Sequence, residues 1–305
     1  MSEESQKTKQ VASERNGSAK KYELLLAGAI ATRATSFIFS KMLLQTLSSF
    51  NLLGIRFLFA FLLLALLFCK KLRQVTGREI LAGIGIGFMF FLTMVCELTA
   101  LERAESSLVS LLENCSIIFV PVFGFLFLHN RPSRSAVISS LTAMAGVVFL
   151  ALQKGELTGG FTFALLAAVC YAGAILVTSK LSLLGDSLRI GVFQVGTIGF
   201  LALLVTVLTQ GTPALPGSLS QWAMLGMQVI VCTGFGFTLQ PVAQAHVSAQ
   251  TAGLFCAISP AIATVLGVTV LHEQFGILSA IGLLLILCAI MLPHLSFGNG
   301  KKKPV

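Results

Sequence analysis

Most of the side chains able to do chemistry in this chain stand inside long apolar runs. Arg33 lies about 11 residues into the first run, and Ser36 and Ser40 follow it at three and seven positions, so the three share one helical face. Glu97 stands toward the end of the third run and Glu113 a turn or two into the fourth. Tyr171, Gln194 and Gln240 occupy the sixth, seventh and eighth. A charge at the centre of a membrane helix costs about 2.5–3.5 kcal/mol on insertion scales, so each charge needs a partner or a task. A guanidinium can meet a carboxylate, and a glutamate can take a proton or a cation. These eight residues form the candidate substrate-binding set. The competing account of Arg33 and Glu113 is a permanent ion pair that only joins helices. For Glu97 it is a solvated helix end beside Glu102-Arg103-Ala104-Glu105. Arg56 and Lys41 read most simply as structural or snorkelling cations.

Other chemistry is not recognisable in the sequence. Gly-rich phosphate loops, Ser-His-Asp sets and supported carboxylate pairs are missing. His129, His246, His272 and His294 fall at predicted helix ends. The seven cysteines stand singly in apolar runs, without CxxC spacing, and read as small buried hydrophobes. No catalytic residue, metal or cofactor is expected.

The elements that position these residues follow from composition. The 305 residues are 55% hydrophobic and 11% charged, with mean hydropathy +0.90. Soluble domains carry about 25% charged residues, so the bilayer is the solvent. The net charge of +9 sits in tails and certain loops, which argues orientation and attraction to lipid, not nucleic-acid binding. Ten apolar runs succeed one another at roughly 22–45, 50–69, 79–101, 105–129, 135–152, 160–183, 188–209, 220–244, 247–271 and 275–295. Each is near the ~20 residues that span a bilayer core of ~30 Å. Basic residues gather in the N-terminal tail, at Lys70, Lys71, Arg73 and Arg78, at Arg131 and Arg134, at Lys180 and Arg189, and at Lys301 to Lys303. The alternate connections hold little beyond Lys41, Arg103 and Lys154. Both termini are therefore expected on the cytoplasmic face of a cell membrane.

The chain also repeats itself. Shifting Asn114–Arg134 by 143 positions gives Ala257–Ile277, pairing Ser116 with Ser259, Gly124 with Gly267, and Leu128-His129 with Leu271-His272. The same register pairs Gly83 with Gly226 and Glu97 with Gln240. At an offset of 139, Ser40-Lys41 meets Ser179-Lys180. Two homologous halves follow, 22–152 and 153–295, between a basic tail at 1–21 and another at 296–305. Five spans per half is an odd number, so the halves face opposite ways. The predicted fold is all-α: ten transmembrane helices in two inverted five-helix repeats, an architecture of alternating-access carriers with a site near the midplane. Glu97 and Gln240 then stand at mirrored positions, as polar trim of two gates.

The run Ser259–Glu273, SPAIATVLGVTVLHE, resembles the closing helices of an EamA-like repeat of the drug/metabolite transporter superfamily, with Pro260 and Glu273 in register. In the first half Ile117 and Asn130 stand where the Pro and Glu would be. Ala31–Lys41 resembles a degenerate opening helix, with Arg33-Ala34 replacing Trp-Gly and Lys41 retained, and Arg56 matches an arginine of the second span. The resemblance implies a ten-helix carrier with spans one, three, four, six, eight and nine around a central cavity, and many bacterial members export metabolites. The expected function is secondary transport of a small polar metabolite, an amino acid or related carboxylate favoured by Arg33. Proton coupling through Glu113 or Glu97 stays open. The alternatives are a drug or amine exporter, a polytopic enzyme acting on lipid-linked substrates, or a channel.

Overall fold

The computed structural model of the chain describes residues 20–128, 134–154, 159–247, 249–256, 258–274 and 276–296. Both basic tails beyond these bounds, and His129, Asn130 and Arg131, lie outside the described residues. Every regular element among those described is a helix. Seven are long and apolar enough to cross a membrane: α1 (Lys20–Leu43), α2 (Ser49–Leu67), α3 (Gly77–Arg103), α4 (Ser106–Leu126), α6 (Gly159–Leu181), α7 (Ser187–Gln210) and α8 (Leu219–Gln244). The others are α5 (Arg134–Lys154), α9 (Ala249–Phe255), α10 (Ile258–Val270) and α11 (Ile277–Ser296), besides a single helical turn at Cys69–Leu72. Their bounds fall within a few residues of the apolar runs, with one correction. The ninth run divides at Cys256 into α9 and α10, where Ser259 N–H turns back to the Cys256 carbonyl.

Helix starts are set by side chains that accept from otherwise unpartnered N–H groups. Thr76 and Glu79 form a reciprocal capping box on α3. Asp186 accepts from Leu188 and Arg189 at the start of α7, and Ser218 from Gln221 at the start of α8. Glu79 also pairs with Arg189 at 2.8 Å and accepts from Asp186 N–H, tying the first turns of α3 and α7 together.

α3 packs on α6 and α7, α2 on α7, and α5 on α11. Leu66, Phe200 and Leu208 point outward with more than half of their surface open, as a bilayer-facing belt requires. The glycine stripe of α3 splits between two neighbours. A methyl at Gly83 would stand 2.5 Å from Phe193 Cβ and one at Gly87 2.6 Å from Thr197 Cβ, both on α7, whereas Gly85 faces Leu181 of α6. Small residues here let the α3 and α7 backbones approach. Gly87→Leu should force them apart and destabilise the protein by at least about 1–3 kcal/mol. Gly77→Leu, where nothing lies within 4 Å, should not. Thermal unfolding of the two variants in detergent checks this, and equal midpoints would contradict it.

The four cysteines Cys96, Cys115, Cys232 and Cys256 are buried as expected, but Cys170 is half-buried, Cys69 and Cys288 are exposed, and all seven are free thiols.

Candidate functional site

Irregular backbone converges on one small cavity. Thr32 and Thr35 hydroxyls bond back to carbonyls of α1, and the helix turns at Thr35, between Arg33 and Ser36. α4 breaks at Asn114–Cys115, directly after Glu113, where the Asn114 amide donates to the Ser110 carbonyl at 2.7 Å. α9 and α10 part at Cys256. In α8, Gln228–Phe237 runs as a π-helix, just ahead of Pro241, which has no N–H for the Phe237 carbonyl. Non-helical backbone at membrane depth is tolerated where it is buried in protein or lines a cavity. Here the cavity is lined by Ile30, Arg33, Ser36 and Phe37 of α1, Met94 and Glu97 of α3, Glu113 and Asn114 of α4, Tyr171 of α6, Phe237 of α8 and Ser259 of α10. Its volume is about 20 Å³, room for roughly one water. A metabolite therefore fits only after the helices move.

Arg33 is the centre of this site. It is 9% exposed, and its Nη1 donates to Tyr171 Oη at 2.9 Å and to Gln240 Oε1 at 2.5 Å. Its guanidinium carbon lies 4.1, 5.2 and 5.3 Å from the ring centres of Phe237, Tyr171 and Phe90, an aromatic box that favours a cation. Gln228 Nε2 donates to Ser40 Oγ at 2.8 Å and to the Ser36 carbonyl at 3.3 Å, fixing α1 against α8. Glycine at 236 is required for that approach: a methyl there would stand 2.6 Å from Arg33 Cγ.

The sequence-predicted residues sort clearly. Arg33, Ser36, Glu97, Glu113 and Tyr171 share the cavity, with Gln240 bonded to Arg33. Ser40 stands behind it, held by Gln228. Gln194 is buried away from the cavity lining, and neither of its amide atoms has a partner among the described residues. Glu97 is 2% exposed and lines the cavity, so it is not a solvated helix end. Glu97 and Gln240 do not trim two separate gates: both join the Arg33 cluster. Arg33 spends its Nη1 bonds on Tyr171 and Gln240 rather than on a fixed pair with Glu113. Arg56 does not snorkel. It is 1% exposed, donates from Nε to Thr233 Oγ1 at 2.7 Å, and sits 5.9 Å from the Phe237 ring.

Sequence reasoning missed Phe90, Phe237, Gly236, Asn114, Ser259 and Gln228. Phenylalanines at 90 and 237 are two of 24, and nothing in their spacing marks them. Arg56 carried a usable signal, being the eighth residue of an otherwise apolar helix.

The polar atoms around the cavity are under-partnered. Arg33 Nε, Arg56 Nη2, Glu113 Oε2, Asn114 Oδ1 and Gln240 Nε2 are buried without hydrogen-bond partners among the described residues. Each such atom costs about 1–3 kcal/mol. Their gathering here makes this cavity the candidate ligand site.

Two charged side chains outside the cavity lining tie helix ends together. Lys41 does not snorkel: its Nζ donates to the carbonyls of Leu101 at 2.5 Å and Ala104 at 2.7 Å, capping the end of α3. His272, with φ of 55°, ends α10 in the left-handed region, and Glu273 N–H returns to the Gly267 carbonyl. This turn aims Glu273 at the start of α4. Its Oε1 accepts from Ser106 N–H at 2.6 Å and Oγ at 2.7 Å, and its Oε2 from Ser107 N–H at 3.0 Å and Oγ at 2.6 Å. Burial alone would raise the Glu273 carboxyl, but the bonds from Ser107 and Ser106 outweigh it and hold the group below the usual carboxylate range.

Seven apolar helices of spanning length around a buried polar cluster mark a multi-pass membrane protein with a candidate ligand site. The EamA-like transporter family matches residues 20–152 and again 158–293, and the chain belongs to that family. It is 24% identical over 293 residues to "Uncharacterized transporter YetK" of Bacillus subtilis, covering 92% of this chain and 87% of the relative. It is 26% identical over 288 residues to an "Uncharacterized transporter" of Archaeoglobus fulgidus, covering 89% and 96%. A solved crystal structure superposes with a TM-score of 0.68 at 16% identity, covering 92% of this chain and 97% of that one, which speaks for the fold. The chain is a membrane transporter, not an enzyme.

Proposed function

We propose that the chain is a secondary carrier that moves a small carboxylate by alternating access, with Arg33 as the anchor of its substrate. The observation that carries this is a buried guanidinium among under-partnered polar atoms, in a cavity too small for substrate in the closed form. Ten spans in two inverted halves, 22–152 and 153–295, supply the moving parts, with both termini cytoplasmic. The packing supports a two-fold relation. α2 contacts α7, α10 contacts the first half of α4, and α5 contacts α11, so three of the five repeat-related pairs meet. Export follows from the resemblance to bacterial relatives. Energy comes from the substrate gradient or a coupled ion, since the sequence has no Walker motif.

A second account, an amine or drug exporter, is favoured by one specific feature: two glutamates and three aromatic rings are also a site for an organic cation. Thermal unfolding of the purified protein against carboxylates, amino acids, sugar phosphates, nucleotide sugars and hydrophobic cations separates the two. A ligand at 100 times its Kd adds about 2.7 kcal/mol. Stabilisation confined to carboxylates is expected. Stabilisation by cations alone would move the anchor to Glu97 and Glu113.

A further inference from the structure

We propose that the outward side of α6 holds one anionic phospholipid, with an acyl chain in an apolar groove and the headgroup phosphate on Lys180. This requires only that the chain spans the membrane, whatever its cargo.

α6 has two sides with different chemistry. Tyr171 lines the polar cavity. Val169, Gly173, Leu176 and Lys180 succeed one another at steps of four, three and four residues, which sets them in one stripe on the side opposite Tyr171. That stripe lines a second cavity of about 530 Å³, flanked by Met89 of α3 and Phe123 of α4. The two cavities share no lining residue. The groove residues named here are half-buried, except Lys180, which is exposed, so the groove opens outward. Gly173 leaves it room: a methyl there would meet nothing closer than Met89 Sδ at 4.0 Å. Among the described residues that line the groove, Lys180 is the one that carries a charge.

Length and chemistry select the occupant. The helical rise puts Val169 and Lys180 about 16 Å apart along the axis, roughly half of a bilayer core of about 30 Å. That is the depth of one leaflet and the reach of one acyl chain. Water gains nothing in such a groove, because apolar walls offer it no partners. The charged end calls for an anion. Ser179-Lys180 is the repeat of Ser40-Lys41, but the two lysines are used differently. Lys41 Nζ is spent on the carbonyls of Leu101 and Ala104, whereas Lys180 has no hydrogen bond or ion pair among the described residues. A lysine lays its apolar stem along the groove and carries its ammonium to headgroup level, where it meets phosphate as a point charge. A zwitterionic lipid brings its own ammonium to that phosphate; an anionic lipid leaves the charge for Lys180. In the proposed orientation this end of α6 lies in the cytoplasmic leaflet, where basic pockets between helices bind anionic headgroups.

Native mass spectrometry of the purified chain, titrated with phosphatidylglycerol or with phosphatidylcholine of the same acyl chains, tests this. The first phosphatidylglycerol should bind about fivefold more tightly than the first phosphatidylcholine, the ~1 kcal/mol that one lysine contributes near an anionic surface. Lys180→Gln should bring the two lipids level. Lys70→Gln removes the same charge from an exposed position outside the groove and should keep the preference. Gly173→Leu should fill the groove and remove the first tight site for both lipids. Equal binding of the two lipids by the wild type overturns the proposal. So does a preference that Lys180→Gln keeps, or one that Lys70→Gln loses to the same extent, which is diffuse attraction to basic helix ends. A lipid-free dimer that Gly173→Leu splits also overturns it, in favour of a second copy in the groove. Lys180 is exposed, so its variant folds and decides the matter whatever becomes of Gly173→Leu. Every readout is lipid binding, so a failure here is distinct from a failure of the carrier reading.

Discussion

Arg33→Ala should abolish transport and erase stabilisation by carboxylates, while folded protein still reaches the membrane. The guanidinium supplies two hydrogen bonds and the positive charge facing the cavity, and of the four α1 residues lining it, Arg33 is the one whose charge can pair with an anion. Removing one partner of a buried, hydrogen-bonded charge pair costs about 2–5 kcal/mol, so affinity should fall by roughly 30-fold to several thousand-fold. Arg33→Lys should rescue little, because a point charge cannot reproduce the forked donors that hold Tyr171 and Gln240. The fold should survive, since the variant also removes a cation that is expensive to bury. Wild-type flux in Arg33→Ala would remove Arg33 from the site.

Glu273→Gln should loosen the junction between the end of α10 and the start of α4. Its carboxylate accepts four hydrogen bonds from the first turn of α4, where the N–H groups have no helical partner. A glutamine presents donors to donors on one side, and we expect a loss of about 2–4 kcal/mol. The pH dependence has a definite sign. The folded carboxyl lies below its unfolded value of about 4.3. Its contribution is therefore complete above that pH and disappears as pH falls through the folded value. The difference in unfolding midpoint between wild type and Glu273→Gln should be constant near neutrality and shrink below about pH 4.3. A difference that grows on acidification would contradict the cap. The position that the 143-residue offset pairs with Glu273 holds Asn130, an uncharged residue.

Much of the fold and of the site is legible in the amino-acid sequence. Apolar runs of bilayer length mark helix bounds to within a few residues, because in lipid the backbone must satisfy itself locally. Intramembrane charge marks Arg33, Glu97 and Glu113, because its cost leaves few reasons to keep it. What stays hidden depends on contacts between distant segments. Glu97 and Gln240 read as opposite mouths because a sequence encodes depth along a helix but not the break in α4 or the π-turns of α8 that swing neighbours inward. Lys41 and Arg56 read as snorkelling cations because the carbonyls of Leu101 and Ala104, and Thr233, are remote in sequence. The repeated Leu-His pair is visible as a match, but its role at His272, turning the chain to aim Glu273, belongs to a backbone angle.

The most direct test of the carrier account is counterflow in proteoliposomes. Vesicles are loaded with an unlabelled carboxylate that stabilises the protein, and uptake of the same labelled compound is followed from outside. An alternating-access carrier should accumulate label transiently, faster than into empty vesicles, saturably, and return it chemically unchanged. Uptake that ignores the internal pool and rises linearly with concentration, or label recovered as a different compound, would contradict the account.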